Sequence, residues 1–537
     1  MKLKDNYLLL LVLVCLAIFF VNLDALPVNI MEARNFTTAR EMINLDHWIF
    51  TTLNNEPRYE KPPLPTWITA ISMILFSMKS LFALRLPAAV MGSLCVIYTY
   101  KLGLKFTAKR KFAFIAGLIA ATSFYILYSG RDGQWDIHTH AWMIMAVYGL
   151  YKLFTEEGAK YPVAIITGIC IGFSFLSKGP VSMYALLLPF LISYGIVYKY
   201  RNLRSKWKPL FLMLLISVLI SASWSLYVFY FDTQAVTSIT DKETGRWLDY
   251  NVRPFYYYWS FVIQSGIWTI PAFIGVLYPY LKDRVFNKPG YKFTFFWTIG
   301  SLILLSIIPE KKSRYLLPVL IPLALNTAFY IEYLFRRFDM LPRKEKWPVY
   351  FNFGLIASIG LSVPVAGFIL MREQIPLVWP WFIITSGCLM VIGVLMFYYL
   401  NRKKIKPVFY LTVWFIIAII FFGLPMLKKI EINPEYKSIT LVDHYRQGND
   451  LPVYEFRSFT PEIIWEYGQP VKRLWDGNNY NIPVEDEFLL LNSPEDFQIM
   501  QKQFSDYQIE KIDEINMNLM PSRFRSRLYR DLYLLKK

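Results

Sequence analysis

The chain has 537 residues, of which 55% are hydrophobic and only 18% charged, with a mean hydropathy of +0.34. Soluble domains carry roughly a quarter charged residues, so this composition excludes an ordinary soluble enzyme and points to a polytopic membrane protein. The net charge of +18 is no nucleic-acid footprint, because long uncharged apolar runs separate the basic clusters. The four cysteines (Cys15, Cys95, Cys170 and Cys388) lie inside those runs without paired spacing or nearby histidine clusters, and read as small packing residues.

The N-terminus opens with Lys2 and Lys4, followed by an apolar stretch from Tyr7 to about Val21 that lacks a small-x-small cleavage site. It reads as a retained first span. Further segments able to cross a bilayer, which takes ~20 helical residues, fall near 85–104, 112–130, 137–154, 161–177, 180–198 and 209–230. The rest lie near 258–281, 293–308, 315–334, 349–371, 377–399 and 407–427. One more apolar stretch, Leu64 to Leu84, is decided by charge. If it does not span, the basic clusters around Lys101–Lys111, Lys199–Lys208, Lys282–Lys292, Arg336–Lys346 and Arg402–Lys406 all share the side of Lys2 and Lys4. That side is the cytoplasm by the positive-inside rule. The stretch is therefore expected to lie along the membrane surface as a helix or helix pair, introduced by Lys61-Pro62-Pro63.

The expected fold is thus a polytopic α-helical membrane protein of about thirteen spans, N-terminus inside and C-terminus outside. Residues 1–427 form the membrane domain, with an outer loop at 24–84, and residues 428–537 a small outer α/β domain. Within that tail, Leu451–Phe456, Phe488–Leu491 and Ser526–Leu535 read as strands and Ser493–Gln503 as a capped helix. The cytoplasmic loops are short and basic. The unusual polar sequence all falls outside, at 24–84, 131–136, 178–180, 231–257 and 309–314.

The first outer loop suits a short amphipathic helix from Glu32 to Met42, with an acidic residue just beyond the first span and Lys61 before the next helix start. That pairing suits acid/base and phosphate-binding chemistry. Lys61, Arg253, Lys311, Lys312 and Arg314 sit at outer span ends, where positive charge is disfavoured without a specific reason. Cations around a phosphate leaving group would lower the barrier to breaking its bond. Asp136 and His140 are one turn apart at the start of a span, and Lys178 follows in Ser177-Lys178-Gly179-Pro180. Asp232, Asp241, Glu243 and Trp247 mark the long outer loop as a lid. Span interiors from 112–130 onward are almost free of Asp, Glu, Lys and Arg, which argues against an ion-coupled transporter.

Several ordered motifs resemble one family. They run Glu32-Ala33-Arg34 to Ala39-Arg40-Glu41-Met42, then Asp46 and Trp48, then Arg58-Tyr59-Glu60-Lys61-Pro62-Pro63 with Trp67. Arg85-Leu86-Pro87, Arg131-Asp132-Gly133-Gln134-Trp135-Asp136, Phe175-Leu176-Ser177-Lys178-Gly179-Pro180-Val181-Ser182, Arg253-Pro254-Phe255-Tyr256-Tyr257-Tyr258 and Pro309-Glu310-Lys311-Lys312-Ser313-Arg314-Tyr315-Leu316-Leu317-Pro318 follow. Together they resemble the aminoarabinose transferases, membrane glycosyltransferases of the GT-C type related to protein O-mannosyltransferases, over roughly residues 5–330. The resemblance implies transfer of a sugar from a polyprenyl-phosphate (undecaprenyl-phosphate type) donor to a lipid A, glycan or protein acceptor at the periplasmic face of the inner membrane. It implies catalytic roles for Glu32 and Lys61, and donor contacts from Arg34, Arg58, Tyr59, Arg131, Asp136, Lys178, Arg253, Lys311, Lys312, Arg314 and Tyr315. Glu60 is the candidate for a divalent metal ion. The family's usual Asp-Glu pair reads Met31-Glu32 here, which moves the expected catalytic carboxylate to Glu32. Membrane lipids are expected partners, nucleic acid is not, and the protein is expected to be a monomer. A lipid-linked glycan flippase or a glycan polymerase is the competing reading.

Overall fold

The computed structural model describes residues 6–158, 160–200, 203–430, 433–446 and 451–537; the side chains of residue 204 and residues 246–249 also lie outside the description. The chain divides into two compact units. One contains residues 1–26 and 59–429, the other 27–58 and 430–537. Residues 27–58, which the sequence groups with the spans, fold with the tail instead.

The first unit is a helical assembly. Among the described residues eight helical segments are both long and apolar enough to cross a bilayer: Leu81–Thr107, Tyr161–Lys178, Ser205–Phe231, Lys288–Ile307, Ser313–Met340, Arg343–Leu370, Ile375–Asn401 and Ile405–Leu427. Of the other expected spans, that at 137–154 is a continuous helix, Trp135–Thr155, of 21 residues, and the rest are interrupted or shorter. Tyr7–Phe20 turns into a π-helix at Leu16, Arg110–Thr122 breaks at Ser123, and Phe255–Trp268 is a 3₁₀ helix kinked at Gly266 and followed by the short α-helices Thr269–Gly275 and Tyr278–Leu281. Leu64–Leu75 is a helix of 12 residues. At 1.5 Å per residue it is about 18 Å long, too short to cross hydrocarbon ~30 Å thick. It is followed by a separate helix from Leu81, so the charge argument against a span at 64–84 agrees with the geometry.

The hub is the Ser313–Met340 segment, with 89% of its apolar window buried, against 17% for Ser205–Phe231 at the periphery. Small residues allow close approach where apolar side chains gain nothing from leaving lipid. A Cβ on Gly168 would lie 2.6 Å from the Met213 carbonyl oxygen, and one on Gly172 2.6 Å from Ile220. The same device recurs between Arg343–Leu370 and Ile375–Asn401, where a Cβ on Gly360 would meet the Leu389 carbonyl at 2.6 Å and one on Gly393 the Ala357 carbonyl at 2.7 Å.

The second unit is built on a five-stranded sheet in the order β4-β3-β5-β7-β6. Its strands are β3 (Val453–Glu455), β4 (Lys472–Arg473), β5 (Glu487–Asn492), β6 (Gln508–Asn516) and β7 (Tyr529–Lys536). β3 runs parallel to β4 and β5, whereas β7 is antiparallel to β5 and β6. The expected strands thus appear, and Ser493–Gln503 becomes a 3₁₀ turn followed by the helix Phe497–Gln503. β6 and the helix Pro461–Tyr467 are additional. β6 carries Ile509, Ile512 and Ile515 at intervals of three across an irregularity between Lys511 and Asp513, so no period-two alternation marks it.

The helix Ile30–Asn44 joins this unit through specific polar contacts. Arg40 donates to the carbonyls of Ile464 (2.9 Å) and Trp465 (3.0 Å) and lies over the Trp465 ring. A cation thereby caps the exposed carbonyls of the Pro461–Tyr467 helix. The hairpin of β1 (Thr52–Leu53) and β2 (Glu56–Pro57) turns through Asn54 and Asn55, both left-handed at φ 58° and 59°, as a two-residue hairpin requires. Asn54 bonds Val471 in both directions, at 2.8 and 2.7 Å.

Replacing Gly168 or Gly172 by Leu forces carbonyl and side chain apart in a packed interface, at a cost of about 1–3 kcal/mol. The thermal midpoint of the detergent-solubilised protein should fall by several degrees, while Gly387→Leu, which faces open space, should leave it unchanged.

Candidate active site

Two antiparallel helices in the first unit bring opposite charges together at their ends. Trp135–Thr155 begins with Asp136 in its first turn, and Tyr161–Lys178 ends on Lys178. Each charge suits its helix end, a carboxylate at the N-terminus and an ammonium at the C-terminus. The chain leaves Lys178 through Gly179 at φ 76° and ψ −154°, a conformation that favours glycine. Asp136 and Lys178 form an ion pair with side chains only 5% and 10% exposed. One turn along, His140 Nδ1 lies 2.5 Å from the Ser182 hydroxyl. The i, i+4 spacing of Asp136 and His140 is matched by partners on either side of Gly179.

The 309–315 segment supplies the rest. Val252 and Glu310 form an antiparallel bridge, reinforced by Arg253 N to the Pro309 carbonyl (3.2 Å) and Lys311 N to the Asn251 carbonyl (3.1 Å). Lys312 pairs with Glu310 at 2.5 Å, and the Tyr315 hydroxyl donates to the same carboxylate at 3.3 Å. Tyr258 fixes the backbone, donating to the Lys312 carbonyl (3.1 Å) and accepting from its N–H (3.0 Å). Tyr257 reaches the Ser313 hydroxyl at 3.1 Å.

Three cations consequently surround one ring. Lys178, Lys312 and Arg314 lie 5.0, 5.7 and 5.8 Å from the centroid of Tyr315, within cation–π range. Asp136 and Glu310 neutralise two of the three charges, leaving an excess of one. The buried Nε of Arg314 makes no hydrogen bond within the described structure. A guanidinium so placed can offer a fork to a tetrahedral oxyanion.

Other expected site residues take different positions. Arg131 donates to the carbonyls of Ile18 (2.6 Å) and Asn22 (2.7 Å), where the π-helix of the first span ends, so it serves as a backbone clamp rather than a donor ligand. Lys311, only 3% exposed, spends its ammonium on the carbonyls of Ile308 (2.5 Å), Arg253 (3.0 Å) and Pro309 (3.4 Å), and burial pushes its pKa down. It holds the loop instead of facing a phosphate. Arg253 is exposed beside this loop. Lys61 is half-buried just before Leu64–Leu75. The Tyr59 hydroxyl donates to Asp232 at 2.7 Å, and burial together with that carboxylate raises its pKa.

The region expected as a flexible lid is helical over Thr233–Asp249, with Asp241 exposed and Glu243 half-buried; the Trp247 side chain lies outside the described residues. Among the described residues no group of three His, Cys, Asp or Glu side chains is placed to hold a metal ion, so no metal step is derived from Glu60.

Glu32, Arg34 and Arg58 belong to the second unit. Glu32 is buried and closes a capping box. The Asn29 side chain accepts from the Glu32 N–H, and Glu32 Oε2 accepts from the Asn29 N–H at 3.3 Å. Arg58 is buried with its guanidinium on the Thr38 hydroxyl at 3.1 Å, and Arg34 is half-buried. Tyr258 and Ser182 stand in the sequence motifs without an assigned role, because their partners, Lys312 and His140, are distant along the chain.

Removing one member of a buried ion pair strands the other, at about 3–5 kcal/mol, whereas removing both is far milder. Asp136→Ala and Lys178→Ala should each lower the thermal midpoint more than the double variant does. Additive losses would show that the two side chains do not interact.

Comparison with known proteins places this geometry. Residues 60–225 match the dolichyl-phosphate-mannose-protein mannosyltransferase family model. The undecaprenyl phosphate-alpha-4-amino-4-deoxy-L-arabinose arabinosyl transferase of Yersinia enterocolitica is 22% identical over 66% of this chain and 65% of its own length. The enzyme of the same name from Photorhabdus laumondii is 26% identical over 58% of each. That from Serratia proteamaculans is 24% identical over 72% of this chain and 70% of its own. The chain thus matches less than two thirds of the first two relatives. The crystal structure of ArnT from Cupriavidus metallidurans bound to undecaprenyl phosphate superposes with a TM-score of 0.71 over 98% of both chains at 15% identity. Its apo form gives 0.68 over 99% of this chain and 98% of its own at 16% identity. The chain therefore has the fold of that structure, and its residues 60–225 resemble the mannosyltransferase family model.

Proposed function

We propose that the protein transfers a sugar from a polyprenyl-phosphate donor to a lipid A, glycan or protein acceptor at the periplasmic face of the inner membrane. The observation that carries this reading is the set of three cations around Tyr315, balanced by only two carboxylates. The names of the relatives and the undecaprenyl phosphate held by the neighbouring structure support it. So does the charge pattern, which favours about thirteen spans with the N-terminus in the cytoplasm and the C-terminus in the periplasm. The shared side of the 131–136, 178–180 and 309–314 segments is then periplasmic, where no soluble nucleotide sugar is required.

The chemistry follows from charge. When the bond between the anomeric carbon and the phosphate oxygen breaks, that oxygen leaves with the phosphate and its negative charge grows. Lys178, Lys312 and Arg314 are placed to stabilise that growth in a site of low dielectric. The acceptor hydroxyl forms the new bond to the anomeric carbon and gives up its proton to a base. We assign the base to Glu32 and a further phosphate contact to Lys61. The absence of charged groups from most span interiors favours this reading over a coupled flippase.

Removing one preorganised electrostatic contact typically costs 10²–10³ in kcat. Arg314→Gln in membrane vesicles should reduce release of undecaprenyl phosphate from sugar-linked undecaprenyl phosphate by about that factor, with the protein still folded. Full activity in Arg314→Gln would remove the cation cluster from the mechanism. Glu32→Gln separates two roles, because glutamine preserves capping at this position. Transfer should fall at least 100-fold while the thermal midpoint is unchanged; unchanged transfer would leave Glu32 a cap alone.

A further inference from the structure

A cavity lies wholly within the unit formed by residues 27–58 and 430–537. Its volume is about 330 Å³, at the lower end of the ~300–1,000 Å³ typical of small-molecule sites. Arg530 forms a rigid part of its wall. The guanidinium is 2% exposed and bonds Glu455 Oε1 (2.6 Å), the Ser458 carbonyl (2.8 Å), the Thr460 hydroxyl (3.3 Å) and the carbonyls of Arg527 (3.2 Å) and Tyr529 (2.8 Å). One side chain thus ties together the 458–460 and 527–529 segments, which line the cavity from two directions.

The lining is polar but balanced. Arg527 makes a two-pronged contact with Glu462 at 2.6 and 2.7 Å, and Asp496 pairs with Arg457 at 2.9 Å. With Arg34 and Glu495 also at the wall, four guanidiniums in or behind the lining meet four carboxylates, Glu455, Glu462, Glu495 and Asp496. A phosphate or another anion would find no net positive charge there. A lipid tail would find only Ile30, Phe459 and Pro461 as apolar lining. Ser458, Ser493, Ser526 and Thr460 add hydroxyl-bearing residues to the lining, together with Phe459. A lining that mixes donors and acceptors with one aromatic residue suits a ligand that both donates and accepts at successive carbons while presenting C–H faces.

We propose that this cavity binds a neutral pyranose ring of the acceptor glycan. The identity of that ring as acceptor rests on the transfer reading above; the cavity's preference for an uncharged polyol does not. The site would hold the acceptor by a sugar unit and leave the phosphate cluster to the donor.

The test uses the full-length protein in nanodiscs with Ser458→Cys as a reporter and Cys388, the half-buried native thiol, changed to Ser; the other three cysteines are buried. Chitobiose at 50 mM should slow maleimide labelling of Ser458→Cys at least three-fold, inorganic phosphate at the same concentration should not, and Ser526→Trp should abolish the protection. Equal labelling with and without chitobiose, or protection by phosphate alone, overturns the proposal. In the transfer assay, Ser526→Trp should raise KM for the acceptor about ten-fold without changing donor-dependent kcat. Protection without any transfer would refute the transfer reading and keep the cavity. Transfer with wild-type acceptor KM in Ser526→Trp, without protection, would do the reverse.

Discussion

The chemistry of this protein depends on holding like charges together where water is scarce. Three cations around Tyr315 would repel strongly in a medium of low dielectric unless carboxylates were built in among them. Asp136 and Glu310 do this, each paired directly with one lysine. The pairing leaves Arg314 with a buried donor unspent. The cluster therefore carries one positive charge more than its paired carboxylates offset.

Much of the remaining polar structure exists to hold those charges in place. Lys311, in the same run as Lys312, turns the other way and fastens three carbonyls, so the loop cannot collapse onto its neighbours. Arg131 performs the equivalent task at the end of the first span, satisfying carbonyls that a π-helical ending exposes. Backbone groups without water need partners as urgently as side chains do. Arginine and lysine at span ends therefore divide between the charge cluster and backbone repair, and composition does not distinguish the two. The second unit uses the same economy, with Arg40 capping a helix and Arg530 binding two segments into one wall.

The membrane elements were legible because lipid imposes a length and a hydropathy on every span. Charge asymmetry set the 64–84 stretch apart from the spans, and its first helix, Leu64–Leu75, is too short to cross hydrocarbon. The helix Ile30–Asn44 was visible in outline, though its attachment was not, since Arg40 and Asn54 find their partners more than four hundred residues away. Edge strand β6 stayed hidden because its irregularity between Lys511 and Asp513 spaces Ile509, Ile512 and Ile515 by three and breaks the two-residue period of a strand. In the site, Asp136, Lys178, Lys312, Arg314 and Tyr315 were named from motif and position, and the fold brings them together. Lys311 and Arg131 were named by the same reasoning and do not join them.

Sequence alone determined the class of environment and the approximate apolar helices, because these depend on sums of local transfer energies along the chain. It also marked which short segments hold unusual polar residues. Only the tertiary structure decided which of those residues face one another, because a lysine's role depends on whether the nearest acceptor is a carboxylate, an aromatic ring or a bare carbonyl. That choice is made by backbone placement, through the turn at Gly179, the bridge between Val252 and Glu310 and the Tyr258 contacts to Lys312. The positive charge that first looked like bulk composition resolves into an anchor, a set of clamps and one cluster with charge to spare.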